Sequence, residues 1–414
     1  MPPATERCAA FRTYFSHIVK LAIVIPGFQA GERDWCIPAF TNLAQELSMR
    51  NETHVFALRY PHARGEYSIG SVRVHALGGG RLLGRRVRGI SLGKLWADTL
   101  RGIAREHGRA PFDAVVGIWA TESGWLAAQA ARSLGVPSLV HVAGGEPVYL
   151  PSLRYGYLRK GLDGVLLNHT LAIADRITAP SRQLLNTVVI EFPPSKQNAV
   201  RWPLGVDTAR FARTATQRPR TEPTRFVSVG SLIPVKDHTW LVRSLADLRL
   251  RRPDLDARLS IAGEGPLKPY LQRLVDKLHL RGYVTLLGEV PHDTLPELHE
   301  RAHAFVLGSW HEAQCMAALE AMSSGLPWIA PAVGALADLA EDQARSGAPS
   351  GVLVAERSTY AMSRSMETVA DLPADEYEKW SDNAAAGVRR NYDLATQTER
   401  LERLLARLTQ LTPR

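Results

Sequence analysis

Short apolar, β-rich runs alternate with helical stretches along this chain, and the whole pattern occurs twice. In the first half the runs fall at 18–25 (IVKLAIVI), 53–58, 72–77, 113–118, 137–142 and 199–202, with helical stretches at 36–50, 93–107, 123–134 and 182–190. Residues 212–224 (ARTATQRPRTEPT) are polar, hold two prolines and lack periodicity, which predicts a linker. The pattern then restarts with runs at 225–230, 257–263, 283–288, 303–309, 326–330 and 351–354, separated by helices at 237–252, 266–280, 293–302 and 314–324. The C-terminal end again reads as helical, including 399–408 (ERLERLLARL). Continuous apolar strands are those whose sheet is covered on both faces, and their alternation with helices predicts parallel sheets wound with helices. Two α/β units of similar size imply a cleft between them, with ligands beyond the carboxyl ends of the strands. That directs attention to loops 230–237, 263–266 and 308–316.

Composition narrows the class. The 414 residues are 45% hydrophobic and 22% charged, which excludes a disordered chain or a coiled coil. Cys8, Cys36 and Cys315 are far apart and form no CxxC, so neither a disulfide framework nor a cysteine-built zinc site is expected. No apolar stretch is long enough to span a membrane. The run 18–25 contains Lys20 and is followed by Pro26-Gly27, so it reads as a buried first strand rather than a leader, and the expected location is cytoplasmic. Residues 1–215 carry 26 Lys and Arg against 15 Asp and Glu; residues 216–414 carry 24 against 26. The basic half suits an anionic partner: a membrane surface or a phosphorylated substrate. The arginine-rich stretch 81–88, with Arg101, Arg105 and Arg109, and the stretch 154–160 (RYGYLRK) are candidates for it, or equally solvated faces. No nucleic-acid-binding motif is present.

Three segments could carry chemistry. Gly230 to His238 follows a strand and opens a helix, and Lys236 there could hold phosphate or be a solvated helix-start residue. Gly263-Glu264-Gly265-Pro266 makes a tight strand-to-helix turn. Glu312 and Glu320 lie in 310–322 (WHEAQCMAALEAM), one at a helix mouth and one about 12 Å further along it. Amides near Gln314–Met316 would face an anion, and carboxylates on either side would accept hydrogen bonds from sugar hydroxyls. Two acids in the first half of a helix also suit the macrodipole without any ligand. His299-Glu300-Arg301-Ala302-His303 matches HExxH, but His303 runs into a strand and no third ligand is near, so a zinc hydrolase is not expected. Asp254-Leu255-Asp256 precedes its strand, at the wrong end of a sheet for a metal-diphosphate site.

The second half resembles the donor domain of glycosyltransferase family 4. The similarity runs in order through Val229–Asp237, Ile261–Leu267, Leu286-Leu287-Gly288, Phe305–Ser309, Glu312 to Glu320, Ala321–Pro327 and Gly351–Val354. Looser similarity covers Ala174–Ser181 and Pro203–Asp207 with Phe211. The resemblance implies the GT-B fold: an acceptor-side Rossmann-like domain at 1–210, rejoined by a C-terminal helix at 393–414, and a nucleotide-sugar donor domain at 211–392. It implies a retaining glycosyltransferase that needs no metal and uses a nucleotide-diphosphate sugar of UDP or GDP type. The implied acceptor is a glycan, a lipid-linked saccharide or a small molecule, and the basic N-terminal half adds the expectation that it is met at the inner membrane face.

By matching position, Lys236 would bind donor phosphates, Glu312 the hydroxyls of the transferred sugar and Glu320 the ribose. Gly230, Ser231, Gly263, Glu264, Gln314, Cys315 and Met316 would complete the donor side. Gly27, Phe28, Glu122 and Glu146 would lie on the acceptor side. The chain departs from the family in having Ser231 where arginine is usual and Ala313-Gln314-Cys315 where Gly-Phe follows the first glutamate. After the fourth strand, Trp119 and Glu122 stand where a histidine is common. These departures motivate a second reading, a GT-B-like binding or scaffold protein with impaired catalysis.

Overall fold

The computed structural model describes residues 19–31, 34, 36–79, 92–156, 161–213 and 223–411. The arginine run 81–88, residues 157–160 of the second basic stretch and most of the linker lie outside them.

The chain forms two compact units: Met1–His141 with Val165–Ile177 and Glu402–Arg414, and Val142–Gly164 with Thr178–Leu401. In the first, β1 (Lys20–Gly27), β2 (Glu52–Tyr60), β3 (Arg64–Ile69), β4 (Val72–Leu77), β5 (Ala114–Ile118) and β6 (Ser138–His141) run in the order β3-β4-β2-β1-β5-β6. All pairs are parallel except the β3–β4 hairpin. Two further strands, β7 (Arg176–Ala179) and β8 (Ala199–Arg201), follow in sequence. The end of the chain is fastened to the first unit where Arg50 and Asn51 donate to Glu402, at 3.2 and 2.7 Å.

The second unit holds a six-stranded parallel sheet of β9 (Thr224–Val229), β10 (Ala257–Ala262), β11 (Val284–Gly288), β12 (Ala304–Val306), β13 (Trp328–Ala330) and β14 (Gly351–Leu353). Their order is β11-β10-β9-β12-β13-β14. Side chains alternate between two cores. Phe226, Val306 and Ile329 face Leu241, Leu245 and Met362, whereas Val227, Phe305 and Trp328 face Leu319, Met322 and Leu336. Both faces are therefore dry, which is why these strands read as unbroken apolar runs. Each such side chain contributes about 1.5–3 kcal/mol by leaving water. Asp237 and Ser358 cap the helices His238–Arg251 and Thr359–Ala370 by accepting from the Trp240 and Ala361 amides.

The expected strands and helices are present within a few residues of their predicted bounds. β3, β7 and the helices Gly161–Ile173, Ala335–Ser346 and Thr359–Ala370 were not expected. β3 is mostly exposed, so burial imposes little alternation on RGEYSI. No helix among the described residues is long and apolar enough to cross a membrane.

Candidate functional site

The parallel order β10-β9-β12 brings the three loops singled out by sequence to the carboxyl edge of the second sheet. The chain leaves β9 through Gly230, whose N–H donates to the Ala262 carbonyl, while the Leu232 N–H donates to the Glu264 carbonyl. Gly263 has φ +145, and a Cβ there would lie 2.1 Å from the Gly230 carbonyl oxygen. Only glycine permits this approach. A short turn at Pro234–Lys236 then aims Lys236 across the loop after β12.

There Lys236 Nζ donates to both carboxylate oxygens of Glu312, at 2.7 and 2.9 Å, and Ser309 Oγ donates to Glu312 Oε1 at 2.5 Å. Burial weighs against the Lys236 ammonium, but the Glu312 carboxylate outweighs it and holds the pKa above its ordinary value. Lys236 is therefore charged at neutral pH. Behind the pair, Gly334 (φ +55) leaves room for the Glu312 backbone, since a Cβ would meet it at 3.0 Å.

Glu312 leads into the helix Met316–Ser323, entered through Cys315 in the left-handed region (φ 74). The Cys315 side chain is buried, and burial pushes its thiol pKa up, so it is no nucleophile. The first-turn amides of this helix have no intrahelical acceptor and present positive potential. Glu320 is buried one turn further on, where His292 Nε2 donates to its Oε1 at 2.8 Å. Phe211 holds the His292 ring edge-on at 5.3 Å.

The remaining expected donor-side residues divide. Ser231 is exposed on the rim and Met316 is half-buried. Glu264 is exposed and paired with Lys268. The Gln314 side chain is committed elsewhere: its Oε1 accepts from the Leu204 N–H at 2.8 Å, and its Nε2 donates to the Leu204 carbonyl at 2.7 Å. It acts as a clamp between two loops, leaving only its backbone toward the helix mouth.

Sequence reasoning missed two residues. Arg357 donates to Asp237 Oδ2 (2.8 Å) and to the Gly308 (2.5 Å) and Ser309 (3.2 Å) carbonyls. Its guanidinium lies 4.4 Å from the Trp240 ring and 3.7 Å from that of Trp310. It locks the Lys236 and Glu312 loops together. Neither Arg357 nor His292 sits in a recognisable motif, so only the folded chain reveals them.

Of the residues expected on the acceptor side, Gly27 ends β1 and Phe28 follows it, with the Phe28 N–H donating to the Tyr60 carbonyl at 3.0 Å. Glu122 opens the helix after β5, and both its oxygens are engaged. Arg59 grips them as a fork at 2.7 and 2.7 Å, and the Trp96 indole donates to Oε1 at 2.7 Å. Glu146 is fully buried and accepts from the Ala143 N–H at 3.0 Å. In the HExxH stretch the helix stops at Glu300, and the His303 Nδ1 accepts from the Arg225 N–H, so the two histidines do not share a helix face. Asp254 and Asp256 pair with Arg252 and Arg258.

Comparison with known proteins agrees with the fold. A family described as "Glycosyl transferases group 1" matches residues 212–386, and one described as "Glycosyltransferase Family 4" matches 39–210. A phosphatidylinositol N-acetylglucosaminyltransferase subunit of Arabidopsis thaliana is 28% identical over 52% of this chain and 48% of its own. A GDP-mannose-dependent alpha-(1-6)-phosphatidylinositol monomannoside mannosyltransferase of Mycolicibacterium smegmatis is 28% identical over 67% of this chain and 72% of its own. The chain spans 48%, 60% and 39% of the first three curated relatives it matches. Among solved structures, an Anabaena protein in complex with UDP and glucose has a TM-score of 0.70 at 16% identity, covering 94% of this chain and 100% of that one.

Proposed function

Since the chain belongs to glycosyltransferase family 4, of GT-B fold, we propose that it transfers a sugar from a nucleotide-diphosphate sugar to a saccharide or lipid-linked acceptor. The observation that carries this reading is the Lys236–Glu312 pair, held at 2.7 Å at the mouth of the helix Met316–Ser323. An ammonium beside a helix N-terminus suits a diphosphate, and a carboxylate on its flank suits sugar hydroxyls. In this reading Lys236 holds the donor phosphates, Glu312 the transferred sugar and Glu320 the ribose.

The reaction would break the bond from the anomeric carbon to the phosphate oxygen, with the electron pair leaving on the diphosphate. The acceptor oxygen would bond to the same face of that carbon, and its proton would pass to the departing phosphate, so that configuration is retained. Lys236 and the helix amides would supply the positive charge that the leaving group needs, without a metal. Catalysis is then mostly positioning and electrostatic stabilisation. Two relatives are named for phosphatidylinositol-based acceptors, which supports a phospholipid-linked or phosphoinositol acceptor here.

Glu312→Gln tests the reading. It keeps the shape of the site but weakens the hold on Lys236, and donor consumption in the presence of a membrane extract is expected to fall by about 100-fold or more. UDP or GDP at 100 times its dissociation constant should stabilise the protein by about 2.7 kcal/mol, which a thermal shift detects and assigns to a base. Nucleotide binding with no consumption of any donor would favour the binding-protein reading. An unchanged rate in Glu312→Gln would overturn the proposed site.

A further inference from the structure

The first unit contains a buried cluster that glycosyl transfer does not use. β2 and β4 are parallel neighbours, with His54 opposite Arg73 and Phe56 opposite His75, so His54 and His75 share one face two positions apart in register. Their rings stack at 5.2 Å with an interplanar angle of 13°, between Phe56 and Phe112. The helix Leu92–Arg109 lays the buried Glu106 over the same face. One ligand atom from each of His54, His75 and Glu106 lies within 4.8 Å of the others.

Counting protons shows what the cluster lacks. Glu52 Oε1 stands 3.0 Å from His54 Nε2 and can only accept, so His54 carries its proton there and turns the lone pair of Nδ1 inward. That Nδ1 is 3.0 Å from His75 Nε2. If His75 donates from Nε2, its Nδ1 is left as a bare lone pair 3.5 Å from the Glu66 carboxylate, buried and without a hydrogen-bond partner. If His75 instead carries its proton on Nδ1, toward Glu66, two lone pairs face each other at 3.0 Å. Neither arrangement satisfies every buried nitrogen.

A divalent cation between the inward nitrogens resolves the conflict. Both histidines then point their N–H outward, to Glu52 and Glu66. Metal-bound imidazoles are commonly oriented by such carboxylates. We propose that His54 Nδ1, His75 Nε2 and Glu106 form a binding site for one divalent transition-metal ion of the zinc class. Two imidazoles and a carboxylate are a zinc-type donor set, with room for a fourth ligand. Glu106 now accepts from Arg105 and Arg109, at 3.2 and 2.8 Å, and would turn one oxygen to the metal. A cleft of about 310 Å³, lined by Glu66, His75, Gly102 and Arg105 among others, reaches the cluster from the surface. The ion would strap β2, β4 and the helix Leu92–Arg109 together.

The test uses the full chain, stripped with a chelator and titrated with Zn²⁺, and with Co²⁺ as a coloured probe. One equivalent should bind, with visible Co²⁺ bands of a low-coordinate nitrogen and oxygen site and a rise in melting temperature on adding Zn²⁺. His54→Gln and His75→Gln should abolish all three. Glu52→Gln, which leaves every ligand in place, should weaken zinc binding by about 10–100-fold. Should the histidine variants fail to fold, Glu52→Gln and Glu106→Gln still decide. Absence of stoichiometric binding, or an affinity that none of these variants changes, would overturn the proposal.

Discussion

At Gly263 a single missing atom shapes the candidate site. A Cβ there would lie 2.1 Å from the Gly230 carbonyl oxygen, at a φ of +145. Gly263→Ala must therefore pry the ends of β9 and β10 apart. It is expected to cost about 3 kcal/mol, seen as a lower urea midpoint with an unchanged slope. Gly230→Ala is the contrast, because its Cβ would meet only the Lys236 side chain, at 3.8 Å. That variant should fold with near-normal stability. The sequence marks both glycines as turn residues, because a strand, a glycine and a helix start occur in succession. It does not say which one faces a carbonyl, since that depends on how two strands far apart in sequence are stacked. Glu312 and Lys236 were legible as candidate site residues through the order of motifs around them. That Lys236 would already be seated on Glu312, with Ser309 donating to the same carboxylate, was not.

The elements were easier to read than their ends. Strands with both faces buried show as apolar runs, so β9, β10 and β12 were visible, whereas β3, exposed at a sheet edge, carries no such signature. The loop after β12 and the helix that follows it show how an element is held by a residue read differently. Gln314, expected on the donor, commits both ends of its amide to the buried backbone of Leu204. Gln314→Ala would leave that N–H and C=O unpaired, and a loss of about 3 kcal/mol in unfolding free energy is expected. Gln314→Glu keeps the acceptor but sets a buried carboxylate oxygen against the Leu204 carbonyl, so its loss should be at least as large at neutral pH. If alanine cost nothing, the clamp would not be holding the loop.

Across the whole molecule, a net charge of +9 is concentrated in the first 215 residues. Many arginines there are paired in the fold, as Arg59 is with Glu122, Arg64 and Arg101 with Asp98, and Arg105 with Glu66. Pairing organises these charges but leaves the excess in place. Vesicles rich in anionic lipid should therefore bind the protein at low salt and release it when the Debye length is shortened to about 3 Å at 1 M. No binding at low salt would remove the membrane from the proposed function.

The sequence by itself determined the two wound α/β patterns, the break between them and the positions of Lys236, Glu312 and Glu320. These follow from hydrophobic periodicity and turn chemistry, which act over a few residues, and from motifs in a set order. Tertiary structure alone decided which polar groups meet. Glu122 is gripped by Arg59 from 63 positions away, Glu320 takes His292 from 28 away, and Asp237 takes Arg357 from 120 away. A buried charge or imidazole must find a partner or pay its desolvation, and that partner is set by which elements the fold stacks together.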